Sequence, residues 1–106
     1  MKFLVTIIQK EAPPPEIMPA LVEATTQWIA SAKKSGKFDA IYAIAGQPGG
    51  LGIANVGSLE ELNELVSGYP MTPFGNVQTL PLSDVDYGLK TLREQVKKMG
   101  ALMGSR

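Results

Sequence analysis

Length, composition and charge bound the chain before any motif is considered. Its 106 residues are 44% hydrophobic and 19% charged, which is typical of one folded domain and not of a disordered chain. Ten basic residues balance ten acidic ones, so no charge excess favours nucleic acid or an anionic membrane as a partner. The longest apolar runs, such as 3–8 and 40–45, are too short to span a bilayer. The N-terminus has no signal-peptide pattern, and we therefore expect a cytoplasmic protein.

The chain contains neither Cys nor His. The first absence excludes disulfides, thiolate nucleophiles and thiolate metal sites. The second excludes an imidazole base, a Ser-His-Asp triad and a proximal His for haem. The acidic residues are scattered and form no pattern typical of a metal site. We therefore predict no metal site, and chemistry limited to carboxylates, Tyr, Lys, Arg and hydroxyls.

The first third of the chain predicts a strand and a helix. Residues 2–9 (KFLVTIIQ) are apolar and rich in β-branched side chains, as in a strand. After a proline-rich loop, residues 16–35 predict a helix, whose apolar side chains form one stripe: Met18, Leu21, Val22, Trp28, Ile29 and Ala32. Gly36 suits the left-handed residue past the helix end, and Lys33 and Lys34 lie where the helix dipole favours cations.

A hairpin is predicted next, with strands at 37–45 and 51–56 around a Gln-Pro-Gly-Gly turn at 47–50. Strict alternation would place Phe38 and Tyr42 on one face of the second strand and Ile41 on the other. The glycines here resemble those of phosphate-binding loops, but such loops need a helix directly behind them, and here a strand follows. A plain hairpin turn is the favoured interpretation.

Another helix is predicted from Ser58, because the Ser58-Leu59-Glu60-Glu61 sequence is a capping box. Its buried stripe would be Leu59, Leu62, Leu65 and Val66, and Gly68-Tyr69-Pro70 would end it. After a loop at 71–75, residues 76–82 predict the last strand, where Pro81 favours either an edge position or the end of the strand.

Residues 84–99 predict a final helix with an apolar seam. Val85, Leu89, Leu92, Val96 and Met99 are spaced four, three, four and three, as in a coiled coil. We divide the chain into a domain at 1–83 and a C-terminal amphipathic helix and tail at 84–106. We expect the helix to pack on this domain or on a neighbouring subunit.

The β-α-β-β-α-β order predicts a ferredoxin-like α+β fold with a four-stranded antiparallel sheet and both main helices on one face. Apolar residues nevertheless point to both faces of the first strand, with Phe3, Val5 and Ile7 opposing Leu4 and Ile8. A second copy packed sheet against sheet would cover the open face, giving a dimeric α/β barrel. The C-terminal helix is the competing cover.

Nearly the whole chain, and most clearly the stretch 36–82, resembles the muconolactone isomerase family. The shared features are Gly36, the aromatic residues Phe38 and Tyr42, Ile44-Ala45-Gly46, Ser58, Leu62, Pro70 and Pro73-Phe74. The resemblance implies a ferredoxin-like dimeric barrel, often assembled into larger rings. It also implies proton shuttling on an unsaturated lactone, which moves a double bond without a cofactor.

That reaction needs a base beside a conjugated carbonyl and donors for the dienolate that forms. The family implies acidic residues in the middle of the first helix and polar or basic groups on the first strand. This chain departs from both, since Ala24-Thr25-Thr26-Gln27 occupies the helix position and Thr6 is the only polar residue inside the strand.

Six residues remain as site candidates, each with a plainer alternative. For catalysis we predict Asp39, Tyr42 and Thr25, although Asp39 also suits a surface position and Tyr42 a structural core. For substrate binding we predict Tyr69, Phe74 and Trp28. Tyr69 and Phe74 also suit an oligomer contact, and Trp28 the core.

Two function hypotheses follow, with a weaker third. The first is a cofactor-independent isomerase acting on a small unsaturated lactone or enone. The second is a non-catalytic oligomeric barrel, a homodimer or larger, that binds a small apolar ligand or only assembles. The third is a cofactor-free oxygenase on a similar frame. An inward carboxylate in a closed pocket favours the enzyme, whereas a cavity lined only by apolar groups and hydroxyls favours binding.

Overall fold

The computed structural model describes residues 1–104, and its elements follow the predicted order. The strands are β1 (Lys2–Gln9), β2 (Phe38–Ala43), β3 (Gly49–Asn55) and β4 (Gly75–Leu82), and the helices are α1 (Met18–Ser35), α2 (Leu59–Gly68) and α3 (Val85–Gly104). Short 3-10 turns occupy Pro15–Ile17 and Thr72–Phe74. The strands form one open sheet in the order β2-β3-β1-β4, and every neighbouring pair is antiparallel. The predicted ferredoxin-like α+β fold is confirmed.

Local sequence signals set the helix ends. The Ser58 hydroxyl accepts a hydrogen bond from the Glu61 backbone N–H (3.1 Å), which confirms the predicted N-cap of α2. Gly36 ends α1 with a φ of 75°, in the left-handed region that glycine adopts without strain. Gly46 has a φ of 87° and turns the chain after β2, so that strand ends at Ala43, two residues earlier than predicted.

A β-bulge changes which side chains of β2 share a face. Phe38 pairs with Ala54 and Ala40 with Ile53, so Asp39 is the extra residue between them. As a result Phe38 and Ile41 share the face on which Phe3 and Val5 lie, while Tyr42 is beside Leu51 on the other face. The predicted strict alternation is therefore wrong here, because the inserted Asp39 places each later side chain of β2 on the opposite face of the sheet.

The core lies between α2 and the sheet. Its buried residues are Phe3, Ala54, Val56 and Leu62, with Val5, Phe38, Leu65 and Val66 packed around them. Ala32 is the residue of α1 that is buried. This packing closes one end of the space beneath the helices and leaves the rest of that space open.

Two apolar surfaces remain exposed in the single chain. On the sheet face away from α1 and α2, Ile8, Leu80, Leu82 and Tyr42 are exposed. The second surface is the α3 seam, whose five apolar residues are between 45% and 70% exposed. The described chain measures 71 × 27 × 24 Å with a radius of gyration of 19.1 Å, against about 13 Å for a compact chain of this length. Helix α3 therefore projects from the body and does not bury its seam against it.

Within residues 1–104, no helix is both long and apolar enough to cross a bilayer.

Candidate functional site

A cavity of about 280 Å³ lies between the sheet and the helices α1 and α2. Its floor is low because β3 carries Gly50, Gly52 and Ala54 on the face towards the helices. A Cβ added to Gly52 would lie 3.1 Å from the Phe38 ring, so a side chain there would displace the wall. Small residues on one strand therefore create the space that the surrounding larger residues enclose.

Three aromatic rings form one wall of the cavity. Trp28 comes from the inner stripe of α1, Phe38 begins β2, and Tyr69 directly follows α2. The Trp28 ring contacts Tyr69 edge to face at 4.8 Å between centroids, and Phe38 at 5.7 Å. These contacts hold the rings in the edge-to-face arrangement that aromatic quadrupoles favour. The structure thus brings together two of the predicted binding residues, Trp28 and Tyr69.

The polar groups of the cavity wall are hydrogen-bond donors. The Thr72 hydroxyl donates to the Val66 carbonyl (2.7 Å) and is occupied by that bond. Within residues 1–104, neither the Trp28 indole N–H nor the Tyr69 hydroxyl forms a hydrogen bond to another residue. Lys33 adds an exposed ammonium group to the wall. No Asp or Glu is among the described residues that line the cavity.

The environment of Tyr69 keeps its hydroxyl protonated. Desolvation by burial disfavours the charged phenolate and raises the pKa of Tyr69 above its ordinary value of 10.0. At neutral pH the group is therefore a hydrogen-bond donor and not a base. A ligand oxygen beside Trp28 would meet this donor in largely apolar surroundings.

The raised pKa of Tyr69 predicts a loss of stability in alkali. Below pH 10.0 the Tyr69 hydroxyl is protonated in both the folded and the unfolded chain. Above pH 10.0 the unfolded chain loses this proton first, because the pKa of Tyr69 is higher in the folded chain. The free energy of unfolding therefore falls as the pH rises towards the folded pKa. Urea unfolding from pH 8 to 11 should show this decline, and Tyr69→Phe should reduce it. Tyr87→Phe, at an exposed position on α3, should keep it. An identical decline in Tyr69→Phe would contradict the assignment.

The other four predicted residues lie outside this aromatic wall. Asp39 is at the bulge of β2, where its carboxylate is 2.6 Å from the Lys2 ammonium and its side chain 37% exposed. The Thr25 hydroxyl donates to the Leu21 carbonyl (2.8 Å), within α1. Neither Asp39 nor Thr25 lines the cavity.

Tyr42 and Phe74 also differ from Trp28 and Tyr69. Tyr42 lies at the edge of the cavity, but its side chain is 65% exposed, and the register places it on the other face of the sheet. Phe74 is half-buried, and its carbonyl accepts the backbone N–H groups of Lys10 (2.9 Å) and Glu11 (3.3 Å). Phe74 thus anchors the chain after β1 and is not part of the cavity wall. The roles predicted for all six residues stay predictions.

Sequence reasoning missed Lys33 and the two glycines of the floor. Lys33 lies four residues after Ile29, a spacing that places both on the same side of α1. Gly50 and Gly52 alternate along β3, and glycines inside a strand often mark a place where a ligand approaches the backbone. The sequence contains both signals, but the helix dipole also explains Lys33, and the hairpin also explains the glycines.

A second cavity of about 100 Å³ adjoins the first. Its lining shares Ile7, Gly49 and Tyr69 with the larger cavity and adds Gln9, Met71 and Gly75. Tyr69 therefore lies at the boundary of both spaces.

The fold and the cavity together define a class: a small ferredoxin-like α+β protein with a ligand-sized space under its helices. The family model for muconolactone delta-isomerase matches residues 1–86. The chain therefore belongs to the muconolactone isomerase family.

A relative and two solved structures are similar to this chain. A muconolactone Delta-isomerase of Rhodococcus opacus is 35% identical over 51 residues, which are 48% of this chain and 55% of the relative. The chain thus matches about half the length of this curated relative. A muconolactone isomerase structure matches with a TM-score of 0.71 at 20% identity, covering 79% of this chain and 90% of the other.

The second structure is a 5-chloro-2-hydroxyhydroquinone dehydrochlorinase from Burkholderia phenoliruptrix AC1100, in complex with 2,5-dihydroxybenzoquinone. It matches with a TM-score of 0.59 at 14% identity, covering 78% of this chain and 94% of the other. At these identities the two structures establish the fold.

Proposed function

We propose that the protein is a cofactor-independent isomerase that shifts a double bond in a small unsaturated lactone or enone. The cavity under α1 and α2 is its substrate site in this proposal. The supporting observation is the protonated Tyr69 hydroxyl, a donor in an otherwise largely apolar cavity of a muconolactone isomerase family member.

The Tyr69 hydroxyl suits the charge that develops in this reaction. Removal of a proton next to a conjugated carbonyl places negative charge on the carbonyl oxygen. A donor already oriented towards that oxygen stabilises the dienolate, and does so more strongly where water is excluded. The Trp28 N–H is a second donor on the same wall, and the Lys33 ammonium adds positive charge. A volume of about 280 Å³ suits a single-ring ligand, since it is near the lower limit of small-molecule sites.

Asp39 is the proposed proton acceptor. It follows the wall residue Phe38 in sequence, but would have to leave Lys2 to reach a ligand. Asp39→Asn should therefore abolish proton exchange, whereas Lys33→Met, which removes only positive charge from the cavity wall, should retain part of it. Tyr42 and Thr25 stay predicted contributors.

A second candidate function is binding without catalysis. The observation that favours it is the lack of any carboxylate among the described lining residues. A ligand carrying one or two oxygen acceptors would then be held by the donors alone. The oxygenase hypothesis stays a prediction, and no particular contact favours it.

Solvent deuterium exchange discriminates between the two functions. The protein is incubated in D₂O with a panel of unsaturated lactones and enones, and exchange is followed by NMR. Trp28, the single Trp of the chain, reports ligand entry through its fluorescence because it forms the cavity wall. Exchange with a double-bond shift supports the isomerase. Fluorescence changes without exchange support binding alone, and no response to any compound would contradict both.

We also propose a homodimer formed through the open sheet face, as the dimeric-barrel prediction requires. Ile8, Leu80 and Leu82 are exposed there, with Leu4, Leu51 and Ile53 half-buried beside them. Burial of these side chains against a second sheet would remove apolar area from water. Larger rings, a cytoplasmic location and independence from cofactors stay parts of the proposal.

A further inference from the structure

We propose that α3 is an assembly helix, which packs its apolar seam antiparallel against α3 of a second copy of this chain. The inference is independent of the catalytic proposal, since it concerns a part of the chain that lies almost wholly beyond the family match at residues 1–86. It also adds an interface to the one proposed at the sheet face.

The seam of α3 has the geometry of a helix-pairing surface. Val85, Leu89, Leu92, Val96 and Met99 keep the four-three spacing that places apolar residues on one line of a helix. Each is between 45% and 70% exposed, and the charged residues Lys90, Glu94 and Lys97 lie off this line. Most helical stability in proteins comes from packing an apolar face and not from helix propensity, so burial of the seam would stabilise α3.

The chain's own domain does not cover the seam. Helix α3 begins directly after β4, and Asp84 fixes this start by accepting hydrogen bonds from the backbone N–H groups of Asp86 (3.1 Å) and Tyr87 (3.3 Å). From there the helix extends along the long axis of the 71 Å molecule. A 20-residue helix is about 30 Å long, so much of the seam lies beyond the reach of the sheet.

Charge selects the antiparallel orientation and a second α3 as the occupant. Asp84 and Asp86 are at the start of α3, whereas Lys97 and Lys98 are towards its end. A parallel pair would place acid beside acid and base beside base. With residue 94 at the centre, an antiparallel pair places Asp86 of each helix about 6 Å along the axis from Lys98 of the other and opposes the two helix dipoles. Lys90 and Lys98 then lie opposite each other outside the seam, where both side chains extend into water.

The seam also fits itself in the antiparallel register. With residue 94 at the centre, Leu89 of one copy faces Met99 of the other, and Leu92 faces Val96. Every apolar residue from Leu89 to Met99 then has an apolar counterpart. At the centre of the pair, Arg93 flanks the seam on one side and Gln95 flanks it on the other. The Arg93 side chains of the two copies lie near each other, and their repulsion is small because both extend into water.

The first test measures mass by light scattering and sedimentation on the full chain. We expect Leu92→Glu and Val96→Glu, which place a charge in the seam, to halve the mass of the assembly. The matched control Thr91→Glu adds the same charge to α3 at a position next to Leu92 but outside the seam, and it should keep the wild-type mass. Circular dichroism checks that each variant is folded. A monomeric wild type, or an unchanged mass in both folded seam variants, would overturn the proposal.

The second test determines orientation and uses the lack of native Cys. In the antiparallel pair Gln95→Cys lies near its own counterpart, and a short bismaleimide should join two chains. Val85→Cys is 18 residues, or about 27 Å, from its counterpart and should stay unlinked. Linking at Val85→Cys, with or without linking at Gln95→Cys, would establish a parallel pair. Loss of mass in the seam variants with no linking at either position would place α3 on another surface, and both outcomes contradict the proposal.

Discussion

Tyr69→Phe is expected to slow solvent exchange into the substrate by about 10²–10³ in kcat, the usual effect of removing one donor to a developing oxyanion. The change deletes one oxygen and keeps the ring that contacts Trp28 at 4.8 Å. In the proposed reaction the donor acts on charge that forms in the transition state, so KM should change much less than kcat. Deuterium incorporation measured at several substrate concentrations separates the two constants.

Tyr87→Phe is the matched control for this experiment. It deletes the same hydroxyl from an exposed tyrosine on α3, outside the cavity lining, and should leave exchange unchanged. If Tyr69→Phe retains full exchange, the donor role is wrong, even if the protein is an isomerase. If it instead raises KM with kcat preserved, Tyr69 binds substrate and transition state equally.

Leu62→Ala is expected to lower the free energy of unfolding by about 2–5 kcal/mol, the range for deleting a buried leucine side chain. Leu62 is 7% exposed and packs in the cluster with Phe3, Ala54 and Val56. Small domains have a total stability of about 5–15 kcal/mol, so this loss is a large fraction of it. Urea unfolding followed by circular dichroism measures the change.

Leu59→Ala makes the same deletion three residues earlier on α2, where the side chain is 61% exposed. Its effect should stay within about 0.5 kcal/mol, as for most surface substitutions. Both variants replace Leu by Ala in the same helix, so the change in helix propensity is similar in both. The difference between their free energies of unfolding therefore measures the effect of burial. Equal losses would mean that the cluster is not the centre of stability.

The cavity and the core share residues, which connects stability to function. Leu62, Ala54 and Phe38 contribute to both. Gly50 and Gly52 leave space where larger residues would pack, so the site exists because part of the interior is unfilled. Filling that space would add buried area but displace the Phe38 ring.

Much of the fold follows from local patterns in the sequence. Ser58 caps α2 and Gly36 ends α1 because their backbone and side-chain chemistry acts within a few residues. The position of Trp28 on the inner stripe of α1 follows from helical spacing alone, and so does the seam of α3. These features depend on the spacing of apolar residues and on the residues at helix ends, and both can be read directly from the sequence.

The candidate site depended on contacts between distant segments. The bulge at Asp39, visible only in the pairing of β2 with β3, turned Tyr42 away from the helices and brought Ile41 towards them. Lys33, Gly50 and Tyr69 come from three different elements, and only the packing of α1 and α2 over the sheet makes them neighbours. The burial of segments distant in sequence sets strand register and helix packing. One inserted residue therefore moves the later side chains of a strand to the other face of the sheet, and the local spacing of residues does not show this.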